Sequence, residues 1–117
     1  MNRLIPLTLI GVLALAGSAQ AATPSKTTLT ASVGPGFTIS LKKGATRVST
    51  LKPGAYVIRV SDKSNFHNFR LMGSGVNKAT TVPFIGSRTF RVTFKRGTYR
   101  YQCDPHRAQM KGSFRVR

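Results

Sequence analysis

The most informative stretch of this sequence is Tyr99-Arg100-Tyr101-Gln102-Cys103-Asp104-Pro105-His106-Arg107-Ala108-Gln109-Met110. It places the only cysteine of the chain three residues before one of the two histidines. The other histidine lies upstream, in Asn65-Phe66-His67-Asn68-Phe69. One thiolate, two imidazoles and a thioether form the ligand set of a blue-copper electron-transfer site. Zinc gains nothing from a thioether, and a structural zinc site usually has more thiolates. The candidate metal ligands are therefore His67, Cys103, His106 and Met110.

Apolar and polar residues alternate with a period of two in several short runs, and helical periodicity is absent after the first twenty-one residues. The alternation predicts strands around 29–33, 37–41, 56–60, 89–95 and 114–117, with Phe37 on the same face as Ile39 and Leu41. Glycine and proline residues between these runs predict turns, for example at Gly34-Pro35-Gly36 and Gly73-Ser74-Gly75. Many short strands joined by such turns predict an all-β sandwich or barrel.

The same parity argument places the cysteine. Tyr99, Tyr101 and Cys103 share one face of a strand, so the thiol emerges inward at the end of an aromatic row. Asp104-Pro105 then ends the strand, because proline cannot donate to a β-ladder. His67 directly precedes another strand-like run, residues 68–71.

The chain resembles the small cupredoxins, and is most similar to plastocyanin, pseudoazurin and amicyanin. The resemblance rests on the run from Gly97 to His106, on Met110, Gly112 and Phe114, and on His67-Asn68 upstream. It is strong over about fifty residues, from His67 to the end, and elsewhere agrees only in pattern. The resemblance implies a Greek-key β-sandwich in which two neighbouring strand ends bring all four ligands to one pole.

The resemblance also implies roles for single residues. His67, Cys103 and His106 would be the trigonal ligands of one type 1 copper ion, and Met110 its weak axial ligand. Asn68 would tie the two ligand segments together and tune the sulfur, although an ordinary turn residue also fits that position. Three residues separate His106 from Met110, a spacing shorter than in plastocyanin and pseudoazurin and longer than in amicyanin.

Residues 1–21 have the features of a secretory signal peptide. Arg3 provides the positive start, Leu4 to Gly17 is apolar, and Ala19-Gln20-Ala21 offers a small-x-small cleavage site. The alternative is an N-terminal membrane anchor, for which the apolar segment is short. We therefore expect a single copper-binding domain over residues 22–117, exported to the periplasm, the cell envelope or the extracellular space. With one cysteine no intramolecular disulfide can form, so the thiol of an exported chain is either inert or a ligand.

The charge is strongly unbalanced, with 19 Lys and Arg residues against two aspartates and no glutamate. Removing Arg3 with the signal leaves about +16. Such a charge favours anionic partners: acidic redox proteins, or an anionic membrane or wall surface. Alternatively, these cationic side chains simply lie on the solvated faces of strands. We expect no nucleic-acid partner, because the chain carries an export signal and the basic residues are scattered rather than gathered in an arm or helix. We also expect a monomer. Three cations nearest the ligand loop form the candidate docking rim: Arg100, Arg107 and Lys111.

An enzymatic function is not expected. A nucleophile pair or triad can be assembled on paper from the Cys, His and Asp residues, but no nucleophile-elbow signature is present. Multicopper enzymes need further histidines, and one blue-copper site uses both that this chain has. The expected function is one-electron transfer between redox partners. The alternative is a secreted copper-binding or delivery module that holds the metal without passing electrons.

Overall fold

The computed structural model describes residues 11–13, 17 and 26–117 of the chain. The predicted signal peptide, residues 1–21, lies outside the described part except at residues 11–13 and 17, which have no regular secondary structure. Within the described residues no helix is long and apolar enough to cross a membrane.

The described chain is built almost entirely of β-strands. Ten strands follow one another: β1 Thr27–Val33, β2 Ile39–Lys43, β3 Thr46–Arg47, β4 Thr50–Leu51, β5 Gly54–Asp62, β6 Arg70–Gly73, β7 Val76–Ala79, β8 Gly86–Phe94, β9 Gly97–Gln102 and β10 Lys111–Val116. A short 3₁₀ turn over Asp104–His106 interrupts the connection between β9 and β10. The predicted all-β class is confirmed.

Two five-stranded sheets form the sandwich, in the orders β3-β2-β1-β5-β8 and β4-β10-β9-β6-β7. Both sheets are mixed, since β1 pairs in parallel with β5 and β4 in parallel with β10, whereas the remaining pairs are antiparallel. The chain crosses between the sheets after β3, β4, β5, β7 and β8. This order confirms the predicted Greek-key sandwich.

The core follows the predicted alternation. In β5, Tyr56, Ile58 and Val60 are buried, and in β8 the inward residues Phe90, Val92 and Phe94 are buried while their neighbours are exposed. The inward face of β9 carries Tyr99 and Tyr101, followed by Cys103, all with no exposed surface. This periodic burial leaves the outer faces of both sheets to polar and basic residues.

Phe37 departs from the prediction. Its side chain is 60% exposed, although it was expected to share the buried face of Ile39 and Leu41. The chain bends through residues 35–37, and the backbone N–H of Gly34 donates to the Thr38 carbonyl at 2.9 Å. The regular alternation of β2 therefore starts only at Ile39, because the turn extends two residues further than the glycines indicate. The strand after His67 likewise begins at Arg70 rather than at residue 68.

Candidate metal centre

Two adjacent strands bring the candidate ligands to one end of the sandwich. β6 and β9 pair antiparallel, with Arg70 opposite Gln102. His67 lies three residues before Arg70 and Cys103 one residue after Gln102. Because neighbouring antiparallel strands begin and end at the same edges, the start of β6 and the end of β9 lie side by side. His67 and Cys103 therefore lie at the same pole of the sandwich.

Three donor atoms converge at this pole. The Nδ1 atoms of His67 and His106 are 3.0 Å apart, and each lies 3.6 Å from the Cys103 Sγ. His67 and Cys103 are fully buried, whereas His106 is partly exposed. The two imidazole nitrogens face each other and, together with the sulfur, form a compact triangular donor set. A thiolate with two imidazoles suits a soft transition-metal ion such as copper.

The loop between β9 and β10 is closed by its own backbone. The Cys103 N–H donates to the Met110 carbonyl at 3.0 Å, and the Met110 N–H donates to the His106 carbonyl at 2.8 Å. Met110 has no exposed surface and belongs to the same buried cluster as Cys103. The three-residue spacing after His106 therefore returns the chain to the site, with the thioether held inside the protein.

Asn68 connects the two ligand segments. Its side-chain Nδ2 donates to Asp104 Oδ2 at 2.9 Å and to the Thr80 carbonyl at 3.1 Å, while its Oδ1 accepts from the Asp104 N–H at 2.7 Å. Its backbone N–H points at the Cys103 Sγ, 3.4 Å away. Since Asn68 is almost completely buried, these contacts make it an internal clamp rather than an ordinary turn residue.

Asp104 is a site residue that the sequence analysis missed. Its carboxylate receives hydrogen bonds from Gln102 Nε2 and from Asn68, and it forms a salt bridge with Arg70 Nε at 2.9 Å. Burial raises the pKa of this carboxyl, but the hydrogen bonds from Gln102, Asn68 and Arg70 and the charge of Arg70 together hold the pKa below its ordinary value. Its position in the sequence could have identified it, because Asp104 is one of two acidic residues in a basic chain and directly follows Cys103.

Two aromatic side chains at the site were also missed. The ring of Phe37 packs edge-on against His106, with centroids 4.9 Å apart, and against His67 at 5.4 Å. Phe66 contacts the His67 ring at 4.3 Å. Both phenylalanines remain exposed, at 60% and 48%. The position of Phe66 directly before His67 was an available signal. Phe37 had none, because the alternation over residues 37–41 placed it in the core.

The three cations predicted for the docking rim, Arg100, Arg107 and Lys111, line one groove beside the ligand loop. Gln102 and Ser113 complete the polar part of its wall. Arg100 and Lys111 reach it from the outer face of β9 and β10, and Arg107 from the loop itself. The groove has no carboxylate in its lining.

Comparison with known proteins agrees with this geometry. The family model described as copper binding proteins, plastocyanin/azurin family, matches residues 39–117. No curated protein sequence matches the chain.

Among solved structures, reduced rusticyanin superimposes with a TM-score of 0.56 at 23% identity, covering 80% of this chain and 82% of that one. A methionine-to-glutamine mutant of rusticyanin gives 0.59 at 21% identity, covering 80% of each chain. Rusticyanin from Thiobacillus ferrooxidans gives 0.54 at 24% identity, covering 80% and 79%. These structures share the fold, while the family model extends over two thirds of the sequence. The chain therefore belongs to the plastocyanin/azurin family of copper-binding proteins.

Proposed function

We propose that this protein is an exported type 1 copper protein that carries single electrons between redox partners. The observation that carries the proposal is the convergence of His67 Nδ1, His106 Nδ1 and Cys103 Sγ within 3.6 Å of one another. These three side chains would hold the copper ion, with the Met110 thioether as the weak axial ligand. Copper supplies the one-electron couple between its +2 and +1 states.

A carrier transfers electrons quickly when its ligands move little on reduction, and the framework here favours that. Cys103 and Met110 are joined by a backbone hydrogen bond of 3.0 Å. The Asn68 side chain ties the segment of His67 to that of Cys103. The N–H of Asn68 aimed at the sulfur stabilises thiolate charge. These contacts would keep the ligands close to the same positions in both oxidation states of the copper.

His106 is the proposed exit for the electron. It is the only one of the three converging donors with exposed surface. Phe37 and Phe66 flank it and stay exposed. An apolar rim of this kind excludes water around the imidazole edge when a partner docks. A partner would therefore approach the ligand pole within a short distance of the copper ligands.

The partner should be acidic. Asp62 is buried and Asp104 is paired with Arg70, so among the described residues no carboxylate side chain neutralises the remaining cations. The groove of Arg100, Arg107 and Lys111 lies beside the ligand loop and offers three positive charges to such a partner. An anionic membrane or wall surface is the other anionic partner for this charge. Export rests on the signal-like segment 1–21.

Two other functions are less well supported. A copper-delivery module needs ligands open to exchange, whereas Cys103, His67 and Met110 have no exposed surface. An enzyme would need groups beyond the copper site, and both histidines of the chain belong to it. A reversible one-electron wave in voltammetry distinguishes a carrier from a delivery module.

The direct test is copper loading of residues 22–117. One equivalent of copper(II) should give an intense blue or green colour from thiolate-to-copper charge transfer. Cys103→Ser should lose the visible band and keep the circular dichroism of a β-sandwich. A control, Ser113→Ala, changes an exposed residue on the outer face of β10 and should keep the colour. A colourless wild-type complex, or retention of zinc at saturating copper, would falsify the assignment.

A further inference from the structure

Asp62 occupies a core position. It ends β5, and it continues the inward row of Tyr56, Ile58 and Val60. Its exposed fraction is 2%. An aspartate at such a position is costly, because a buried carboxylate loses its hydration unless other groups replace it. The neighbours of its two oxygens therefore show what the residue does.

One oxygen has a partner and the other has none within the described structure. Asp62 Oδ1 accepts the backbone N–H of Ser64 at 3.1 Å. Asp62 Oδ2 is buried and has no hydrogen-bond partner there. The imidazole of His67 shows the same imbalance: its Nδ1 faces the other metal donors, while its Nε2 is buried and also lacks a partner among the described residues.

These two unsatisfied atoms belong to one small region of the core. A Cβ built on Gly34 would lie 3.1 Å from Ser64 Cβ and 3.2 Å from His67 Cδ2, the ring carbon bonded to Nε2. Ser64, which donates to Asp62, and the Nε2 side of His67 therefore pack against the same glycine. Burial raises the pKa of the Asp62 carboxyl, whereas the hydrogen bond from Ser64 and the proximity of the His67 ring act in the opposite direction. Leaving both a carboxylate oxygen and a ring N–H unsatisfied would cost about 1–3 kcal/mol each, and a buried water between polar groups removes such a cost.

We propose that Asp62 is a positioning residue for the copper site, with its Oδ2 joined through one buried water to the Nε2–H of His67. The contact keeps the proton on Nε2 and leaves Nδ1 free to bind copper. Carboxylates that hold the second ring nitrogen of a ligating histidine fix the orientation of the ring and raise its basicity. This inference rests on the proposed function, because it assigns His67 as a ligand.

The arrangement predicts opposite effects on folding and on copper. The buried charge of Asp62 disfavours folding of the metal-free protein but favours the more positive copper(II) state over copper(I). Asp62→Asn preserves the shape and the Oδ1 acceptor, but places an NH₂ donor where Oδ2 stood. The metal-free variant should therefore be as stable as wild type or more stable. Its preference for copper(II) over copper(I) should fall about tenfold, since outer partners of ligands contribute 10–100-fold to metal affinity, which raises the potential by about 59 mV.

The matched control is Thr93→Lys, which changes the net charge by the same +1 at an exposed, outward-facing position of β8. Nitrogen-15 NMR of the metal-free and copper(I) proteins reads the protonation of each histidine nitrogen. In wild type we expect a slowly exchanging His67 Nε2–H with a cross-peak to a long-lived water. Asp62→Asn should speed the exchange at least tenfold, and Thr93→Lys should not.

Unchanged exchange and unchanged potential in a blue Asp62→Asn protein would overturn the proposal, and so would the same NMR change in Thr93→Lys. The absence of the water cross-peak in wild type would overturn it even if Asp62→Asn failed to fold. If wild type gave no blue complex, the proposed function would fail. The NMR of the metal-free protein would still decide whether Asp62 holds His67.

Discussion

Replacing Asn68 by alanine tests whether the clamp between the ligand segments contributes to stability or to colour. The change removes the three side-chain hydrogen bonds to Thr80 and Asp104. It keeps the backbone N–H that faces the Cys103 sulfur. We therefore expect Asn68→Ala to lower the free energy of unfolding while the copper(II) complex stays blue.

The magnitude follows from the contacts that are lost. Each hydrogen bond contributes about 1 kcal/mol, and the bond to a carboxylate about 1.5–3 kcal/mol. The Asp104 N–H and the Thr80 carbonyl would also lose their partner inside the protein. The total is about 3–5 kcal/mol, a large share of the roughly 5–15 kcal/mol that stabilises a typical domain. With a urea m-value of about 1–2 kcal/mol/M for a small domain, the midpoint should fall by about 2 M or more.

The assay is urea unfolding of the metal-free domain, followed by the absorption spectrum after copper loading. Asn65→Ala serves as the control, because Asn65 lies in the same segment but is exposed. It should shift the midpoint by less than a quarter of the Asn68 effect. Equal, small shifts for both variants would refute the clamp. Loss of the blue band in a folded Asn68→Ala protein would show that its side chain, not only its backbone, determines the thiolate environment.

Two further predictions concern the axial position and the charge. Met110→Leu removes the thioether at nearly constant volume, so copper(II) loses more stabilisation than copper(I). The reduction potential measured by voltammetry should rise by about 59 mV, or 1.4 kcal/mol. An unchanged potential and spectrum would show that Met110 only packs in the core. Replacing the groove cations by glutamine should slow electron transfer to an acidic acceptor, measured by stopped flow, and should weaken the dependence of that rate on salt. If the wild-type protein reacted equally fast with acidic and basic acceptors, the positive charge would serve solubility alone. The groove set is Arg100, Arg107 and Lys111, and the control set on the outer face of the other sheet is Arg59, Arg88 and Arg91.

Much of the fold could be predicted because burial in a strand has a period of two. The parity of Tyr99, Tyr101 and Cys103 gave the direction of the thiol, and the structure confirms it. The same rule would have found Asp62, since that aspartate follows Tyr56, Ile58 and Val60 on the inward face. The failure at Phe37 has the opposite origin: alternation was extended into a turn, where side-chain direction no longer follows it.

Other features depend on contacts between distant segments and have no local signal. The parallel pairing of β1 with β5 brings Val33 opposite Asp62, and Lys63 then donates to the Val33 carbonyl at 3.0 Å. This pairing places the Gly34 turn against His67 and so brings Phe37 to the imidazoles. No spacing within either segment specifies that meeting. The approach of the two Nδ1 atoms to 3.0 Å likewise depends on the pairing of β6 with β9, which places the segment of His67 beside the turn that carries His106.

Two glycines in the strands that flank β9 help to fix the position of the candidate metal site. A Cβ on Gly73 would lie 2.1 Å from the Tyr99 ring, and one on Gly112 would lie 2.2 Å from the Tyr101 ring. Each tyrosine therefore lies directly over the backbone of a neighbouring strand, one on β6 and one on β10. Because cores pack without spare volume, the two rings hold β9 from both sides. Cys103 comes two residues after Tyr101 on the same face, so the packing of the two tyrosines also fixes the position of its sulfur. The aromatic row that reads as plain core thus determines where the thiolate meets the histidines.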